Sequence, residues 1–130
     1  MDNEPKNNKR KVLCIEDEYF ISELYERALT KNGYDIKIVN NGIDALKEAQ
    51  TDQYDIILLD IMIPGITGTE VLKQLRDPSK TPHLKAKIII TTNLEQREEV
   101  KENIEKQADA YVVKASLTPN ELVEFIDNIR

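Results

Sequence analysis

The 130 residues include one cysteine, one histidine and no tryptophan. One thiol cannot close an intramolecular bridge, so no disulfide framework holds the chain. Cys14, inside the apolar run VLCI, reads as a small core residue in a reducing cytosol. His83 stands in the loop PSKTPHLKA with no metal-ligand companions and receives no role. No apolar stretch approaches the length needed to cross a bilayer, and the opening MDNEPKNNKRK lacks the apolar segment of a signal peptide. A soluble cytoplasmic protein without membrane contact is expected. Positive charge is also scarce: 18 Lys and Arg against 24 Asp and Glu give a net charge of -6 and a pI near 4.9. Phosphate contacts depend on clustered Lys and Arg, so direct nucleic-acid binding is not expected. The basic KNNKRK is the local exception and reads, within residues 1–10, as a flexible solvated tail.

What the chain does have is alternation. Short β-branched apolar runs, KVLCI (11–15), DIKIV (35–39), DIILLD (55–60), KIIIT (87–91) and AYVV (110–113), read as strands. Between them, apolar residues recur at helical spacing. Phe20, Leu24, Ala28 and Leu29 precede a stop at Asn32-Gly33, and Ile43, Leu46 and Ala49 precede Gln50. Val71, Leu72 and Leu75 mark a third helix ended by Asp77-Pro78, and Val100, Ile104 and Ala108 a fourth. Leu122, Phe125, Ile126 and Ile129 mark a fifth, with Thr118 as N-cap and Pro119 at the first helical position.

Five strand-then-helix units with continuously apolar strands imply an α/β fold over 11–130. It is an open, doubly wound, five-stranded parallel sheet with five helices on its two faces, because right-handed crossovers are nearly obligatory. In such sheets ligands bind beyond the carboxyl ends of the strands.

Those ends carry the chemistry. Glu16, Asp17 and Glu18 follow the first strand, Asp60 ends the third, Thr91, Thr92 and Asn93 follow the fourth, and Lys114 follows the fifth. Two like charges about 4 Å apart repel by about 4 kcal/mol at an effective dielectric near 20. Lys114 is one cation against Glu16, Asp17 and Asp60, leaving a local charge of about -2 that a hard divalent ion such as Mg²⁺ brings to about zero. Each residue also has an ordinary reading. Glu16 to Glu18 could cap the helix starting near Tyr19, and Asp60 could form a turn. Lys114 could lie along the surface, and Thr92 could bond backbone. All four at one edge favour a shared site.

At this point the chain resembles the receiver domain of two-component response regulators, from Lys11 to Arg130. VLCIEDE is similar to that family's acidic pair, and IILLDIMIPGITG to its phosphoacceptor segment, with Pro64 and Gly68 at the expected offsets. IIITTN is similar to its Thr-bearing fourth strand and YVVKA to its fifth. The resemblance implies a signalling receiver, not an enzyme, with Asp60 attacking the phosphoryl group of a phosphohistidine. It implies Mg²⁺ held by Asp17, Asp60, the backbone carbonyl of Met62 and, through water, Glu16. Lys114 would pair with Asp60. Thr92 would move toward the phosphoryl group while Tyr111 swings inward, reshaping the face of the fourth helix, fifth strand and fifth helix. An ordinary strand aromatic remains the alternative for Tyr111. The implied partners are a sensor histidine kinase or histidine phosphotransfer protein and a downstream target or output domain, with a homodimer possible on phosphorylation. The chain is expected to be either a stand-alone receiver or part of a longer regulator.

Three positions depart from the family pattern. Ala115 stands where the family has a cis proline; a cis bond before a non-proline costs about 3 to 4 kcal/mol, so a trans bond is expected. Asn93 replaces a small residue and is expected to narrow the pocket mouth. Met62 and Leu94 cannot orient a hydrolytic water, so slow self-dephosphorylation is expected. A haloacid-dehalogenase-like phosphatase is disfavoured because Met62 stands where its second Asp belongs. A flavodoxin-like cofactor site is disfavoured because EDEYF would repel phosphate. An interaction module that no longer uses phosphorylation is the remaining rival, supported by Ala115. On the fourth helix, Glu102 and Lys106 stand at the spacing of a helical ion pair.

Overall fold

Strands that are apolar along their inner positions need cover on both faces. In the computed structural model, which describes residues 10–81, 84–93 and 96–129, they receive it. β1 (Lys11–Ile15), β2 (Asp35–Val39), β3 (Ile56–Asp60), β4 (Lys87–Thr92) and β5 (Ala110–Val113) form one sheet in the order β2-β1-β3-β4-β5, with every pairing parallel. Central β3 is buried at all five positions.

Alternate residues of each strand enter opposite core layers. Leu13, Ile57, Leu59 and Ile90 pack beneath α2 (Gly42–Ala49), α3 (Gly68–Leu75) and α4 (Glu98–Gln107). Val12, Ile56, Leu58 and Ile89 pack beneath α1 (Tyr19–Lys31) and α5 (Pro119–Asp127). Fully burying such a side chain contributes about 1.5–3 kcal/mol, which makes these layers the main favourable contribution to the fold. The chain winds from β1 outward to β2, then returns across β1 to β3, so the winding reverses between β1 and β3. The carboxyl ends on either side of that reversal are Ile15 and Asp60.

Local signals set the helix limits. Thr118 accepts from the Glu121 N–H at 3.1 Å while the Glu121 carboxylate accepts from the Thr118 N–H at 2.9 Å, closing a capping box before Pro119. Asn41 and Thr67 cap α2 and α3 in the same way through one bond each. Past α1 the chain turns at Gly33, whose φ of 90° suits a residue without Cβ.

The structure corrects several limits. β3 starts at Ile56, and the Asp55 carboxylate just before it accepts from the Lys11 N–H at 2.8 Å. β4 runs on to Thr92, which pairs with Val113. α3 ends as expected before Asp77-Pro78, with Arg76 as its C-cap and Asp77 accepting from Ser79 in the turn. Ala108 and Ile129 lie just past their helices. Phe20 and Ile43 are exposed, not core. At roughly 100° per residue, Phe20 falls on the far side of α1 from buried Ser22, Tyr25 and Leu29, and Ile43 opposite Ala45 and Ala49. The helical ion pair among the described residues is Glu23–Arg27 and not Glu102–Lys106. The flexible-tail reading of residues 1–9, and His83 and Leu94, fall outside the described residues.

Candidate functional site

Asp60 ends β3 beside Thr91 of β4 and is 1% exposed. Its Oδ1 accepts from the Met62 N–H at 3.0 Å, so the turn-forming reading of Asp60 holds in part. Its Oδ2 lies 3.2 Å from Lys114 Nζ. Lys114 opens a 3-10 turn, Lys114–Ser116, directly after β5. The peptide bond into Ala115 is trans, as expected. The lysine is buried, which rules out the surface reading, and it reaches inward to the other strand ends.

Its nearest partner is Glu16 and not Asp60. Glu16 Oε1 is 2.7 Å from Lys114 Nζ, and Glu18 Oε1 is 3.8 Å away. Glu16 sits one residue past β1, held by its N–H on the Val39 carbonyl at 3.0 Å. Its Oε2 accepts from the Glu18 N–H at 3.1 Å. Glu18 is the N-cap residue of α1, yet its side chain caps nothing, so helix capping does not account for these acids.

One ammonium shared by two buried carboxylates explains the electrostatics. Burial, helped by the Asp60 charge, pushes Glu16 up to about 7 against the pull of Lys114. Burial alone would lower Lys114, but Glu16 and Asp60 outweigh it and hold its pKa above the ordinary lysine value. An isolated pair would favour both charged forms; here the second acid leaves Glu16 undercompensated.

This donor set fits a divalent ion. One carboxylate oxygen from each of Glu16, Asp17 and Asp60 lies within 4.8 Å of the others, with Asp17 exposed to solvent. Glu16 Oε1, though fully buried, makes no aligned hydrogen bond. Three anionic oxygens with an open side suit a hard, partly hydrated cation such as Mg²⁺.

The segment after Asp60 is folded tightly over it. Gly65 has a φ of 81°. Gly68 opens α3 so close to β3 that a Cβ there would stand 2.4 Å from the Asp60 carbonyl oxygen and 2.6 Å from Ile61 Cα. Met62, by contrast, is 68% exposed.

Thr92 and Tyr111 lie on the two strands beyond β3. Thr92 is buried at the end of β4, and its Oγ1 accepts from Gln96 Nε2 at 3.2 Å. Half-buried Tyr111 accepts from the Gln96 N–H at 3.1 Å, and Lys101 Nζ lies 5.4 Å from its ring centroid. Asn93 is exposed beside them. The structure thus gathers Glu16, Asp17, Asp60 and Lys114, sets Thr92 one residue beyond the Thr91 that pairs with Asp60, and leaves Tyr111 opposite Ile90, joined to Thr92 through Gln96. Sequence reasoning missed Gln96, for which no motif gives a signal. It noted Glu18 without linking it to Lys114; the unbroken acidic run after β1 was the available cue.

Comparison with known proteins agrees with this geometry. A family model described as the response regulator receiver domain matches residues 12–127. Response regulator ArlR of Staphylococcus saprophyticus is 35% identical over 92% of this chain and 50% of its own length. The regulatory protein ResD of Bacillus subtilis is 35% identical over 91% of this chain and 47% of its own. The chain therefore spans about half the length of these curated relatives. Among solved structures, chemotaxis response regulator CheY4 of Vibrio cholerae superposes with a TM-score of 0.79 at 27% identity, covering 92% of this chain and 98% of that one. A LuxR-family DNA-binding response regulator of Staphylococcus aureus gives 0.77 at 30% identity, covering 91% and 96%. No helix among the described residues is long and apolar enough to cross a membrane. A buried Asp at the end of β3, a lysine drawn in from β5 and a family match over nearly the whole chain lead to one assignment: the chain belongs to the response regulator receiver domain family of two-component signalling.

Proposed function

We propose that Asp60 accepts a phosphoryl group from a phosphohistidine on a sensor histidine kinase or histidine phosphotransfer protein, in a reaction that needs Mg²⁺. A carboxylate oxygen of Asp60 forms the new P–O bond as the P–N bond breaks, its electron pair passing to the imidazole of the donor. The observation that carries this reading is the buried Asp60 at 3.2 Å from a lysine that it must share with Glu16. Asp17, Asp60 and the Met62 carbonyl would hold the ion, with Glu16 contributing through water. When bound, the ion neutralises charge on the phosphoryl oxygens. Lys114 orients Asp60 and afterwards a phosphoryl oxygen.

The modification adds roughly two negative charges and three acceptors. Thr92 is within one residue of the strand end that carries them, and Tyr111 borders α4 and α5. A change at the pocket therefore alters the α4-β5-α5 face, read by a downstream protein target or output domain, or by a second copy of the domain. Exposed Tyr19 and Phe20 at the start of α1, with Met62 beyond β3, give the pocket an apolar rim suited to a protein donor. The net charge of -6 makes this surface unsuited to direct nucleic-acid contact. With no side-chain donor at Met62 to orient water, the acyl phosphate is long-lived.

Incubation with Mg²⁺ and a small acyl-phosphate donor, read by intact mass, tests the reading. A single phosphoryl adduct in the unmodified chain, lost in Asp60→Asn, is expected. No adduct with either this donor or beryllofluoride leaves the rival, a phosphorylation-independent interaction module favoured by Ala115. A half-life of seconds for the adduct overturns the long lifetime.

A further inference from the structure

Among the described residues no hydrogen bond joins Thr92 to Tyr111, and Gln96 bonds to both. Gln96 reaches Thr92 Oγ1 with its side-chain Nε2 at 3.2 Å and holds the Tyr111 hydroxyl with its backbone N–H at 3.1 Å. It also stands one residue before Arg97, the N-cap of α4. A hydroxyl has one proton to donate and two lone pairs to accept with. Accepting from Gln96 uses a lone pair of Thr92 Oγ1 and not its proton. The side-chain amide and backbone N–H of one residue are joined by a short covalent path. A pull on the amide therefore changes the position of the N–H that holds Tyr111, and with it the approach to α4.

We infer that Gln96 is a positioning residue that links Thr92 to Tyr111, passing a displacement of the threonine hydroxyl to the tyrosine ring. This rests on the proposed acceptance of a phosphoryl group, but the link itself is testable without ligand.

Gln96→Met keeps the side-chain length and removes the amide. Thr92→Val removes the acceptor. The ring resonances of Tyr111, identified by their loss in Tyr111→Phe, are the readout. In the ligand-free protein each variant is expected to shift these resonances, with the double variant falling well short of the sum, because both cut the same path. Additive shifts overturn the link. With Mg²⁺ and beryllofluoride, bound fluoride is expected in the unmodified chain and in Gln96→Met, with affinities within about fivefold, the worth of one neutral hydrogen bond. The Tyr111 displacement in Gln96→Met is expected to drop below half. An undiminished displacement overturns the inference. No bound beryllofluoride in the unmodified chain overturns the phosphoryl reading instead, and the ligand-free comparison still decides the link.

Discussion

Lys114→Met separates the electrostatic account from a purely steric one. Methionine keeps the volume and stem of the side chain but removes the cation at 2.7 Å from Glu16 and 3.2 Å from Asp60. At an effective dielectric near 20 the two attractions are about 6 and 5 kcal/mol before desolvation. Both acids are nearly buried, so solvent screens little of this. Removing one partner of a buried pair typically costs about 3–5 kcal/mol, because an uncompensated charge is left behind. Against a total stability of about 5–15 kcal/mol, that is about a fifth or more. In chelator near neutral pH, thermal unfolding followed by circular dichroism is expected to move down by about 10 °C or more. Divalent ion should return part of the loss, since saturation a hundredfold above the dissociation constant stabilises by about 2.7 kcal/mol. The variant should therefore gain more from Mg²⁺ than the unmodified chain. Acid should help as well. A Glu16 carboxyl whose folded pKa is raised from 4.5 to about 7 binds more protons folded than unfolded. Metal-free stability then falls as pH rises through that window, and the fall steepens once Lys114 is gone. A variant as stable as the parent in chelator, or one indifferent to Mg²⁺, refutes the account.

Other positions give sharper local tests. Gly68→Ala places a methyl against the Asp60 carbonyl and Ile61; a loss of about 1–3 kcal/mol in urea unfolding is expected, with weaker beryllofluoride binding read by fluorine resonance. Thr118→Ala removes one half of the capping box and should lower the urea midpoint by the equivalent of about 1 kcal/mol, leaving ligand binding alone. Burial, then the hydrogen bond to Asp127 and its charge, push Tyr34 up to about 12 from 10.0. Because the raised pKa favours the neutral phenol, the tether is complete below the unfolded value and is lost as pH climbs through about 12. Asp127→Asn should bring the Tyr34 ring titration down, and an unchanged titration counts against the tether.

The strands were legible because each is a short run dominated by apolar, mostly β-branched residues and bounded by turn residues, a pattern that fixes element type; the exposed Asp35 and Lys37 mark β2 as an edge strand. Helix faces were less legible. Phe20 and Ile43 fit an apolar spacing from one end of each stripe, but buried Ser22 and Gly42 define where the faces point, and neither residue is apolar. The pocket was readable from the strand ends, since parallel strands deliver their carboxyl termini to one edge. How charge is shared there was not. That Lys114 favours Glu16 over Asp60 depends on how far each strand end projects, and chain order does not encode this. Gln96 was invisible for a related reason: its role comes from a backbone N–H and a side chain facing two different strands.

The single thiol lies in β1, between two neighbouring strands, and is 1% exposed. Burial also pushes it well above the ordinary thiol range, so little thiolate forms. A maleimide reagent should thus ignore the native domain and react only when the middle of the sheet parts. The same residue becomes a built-in clock for global opening, and it leaves the molecular surface free of background for fluorophores placed at engineered cysteines.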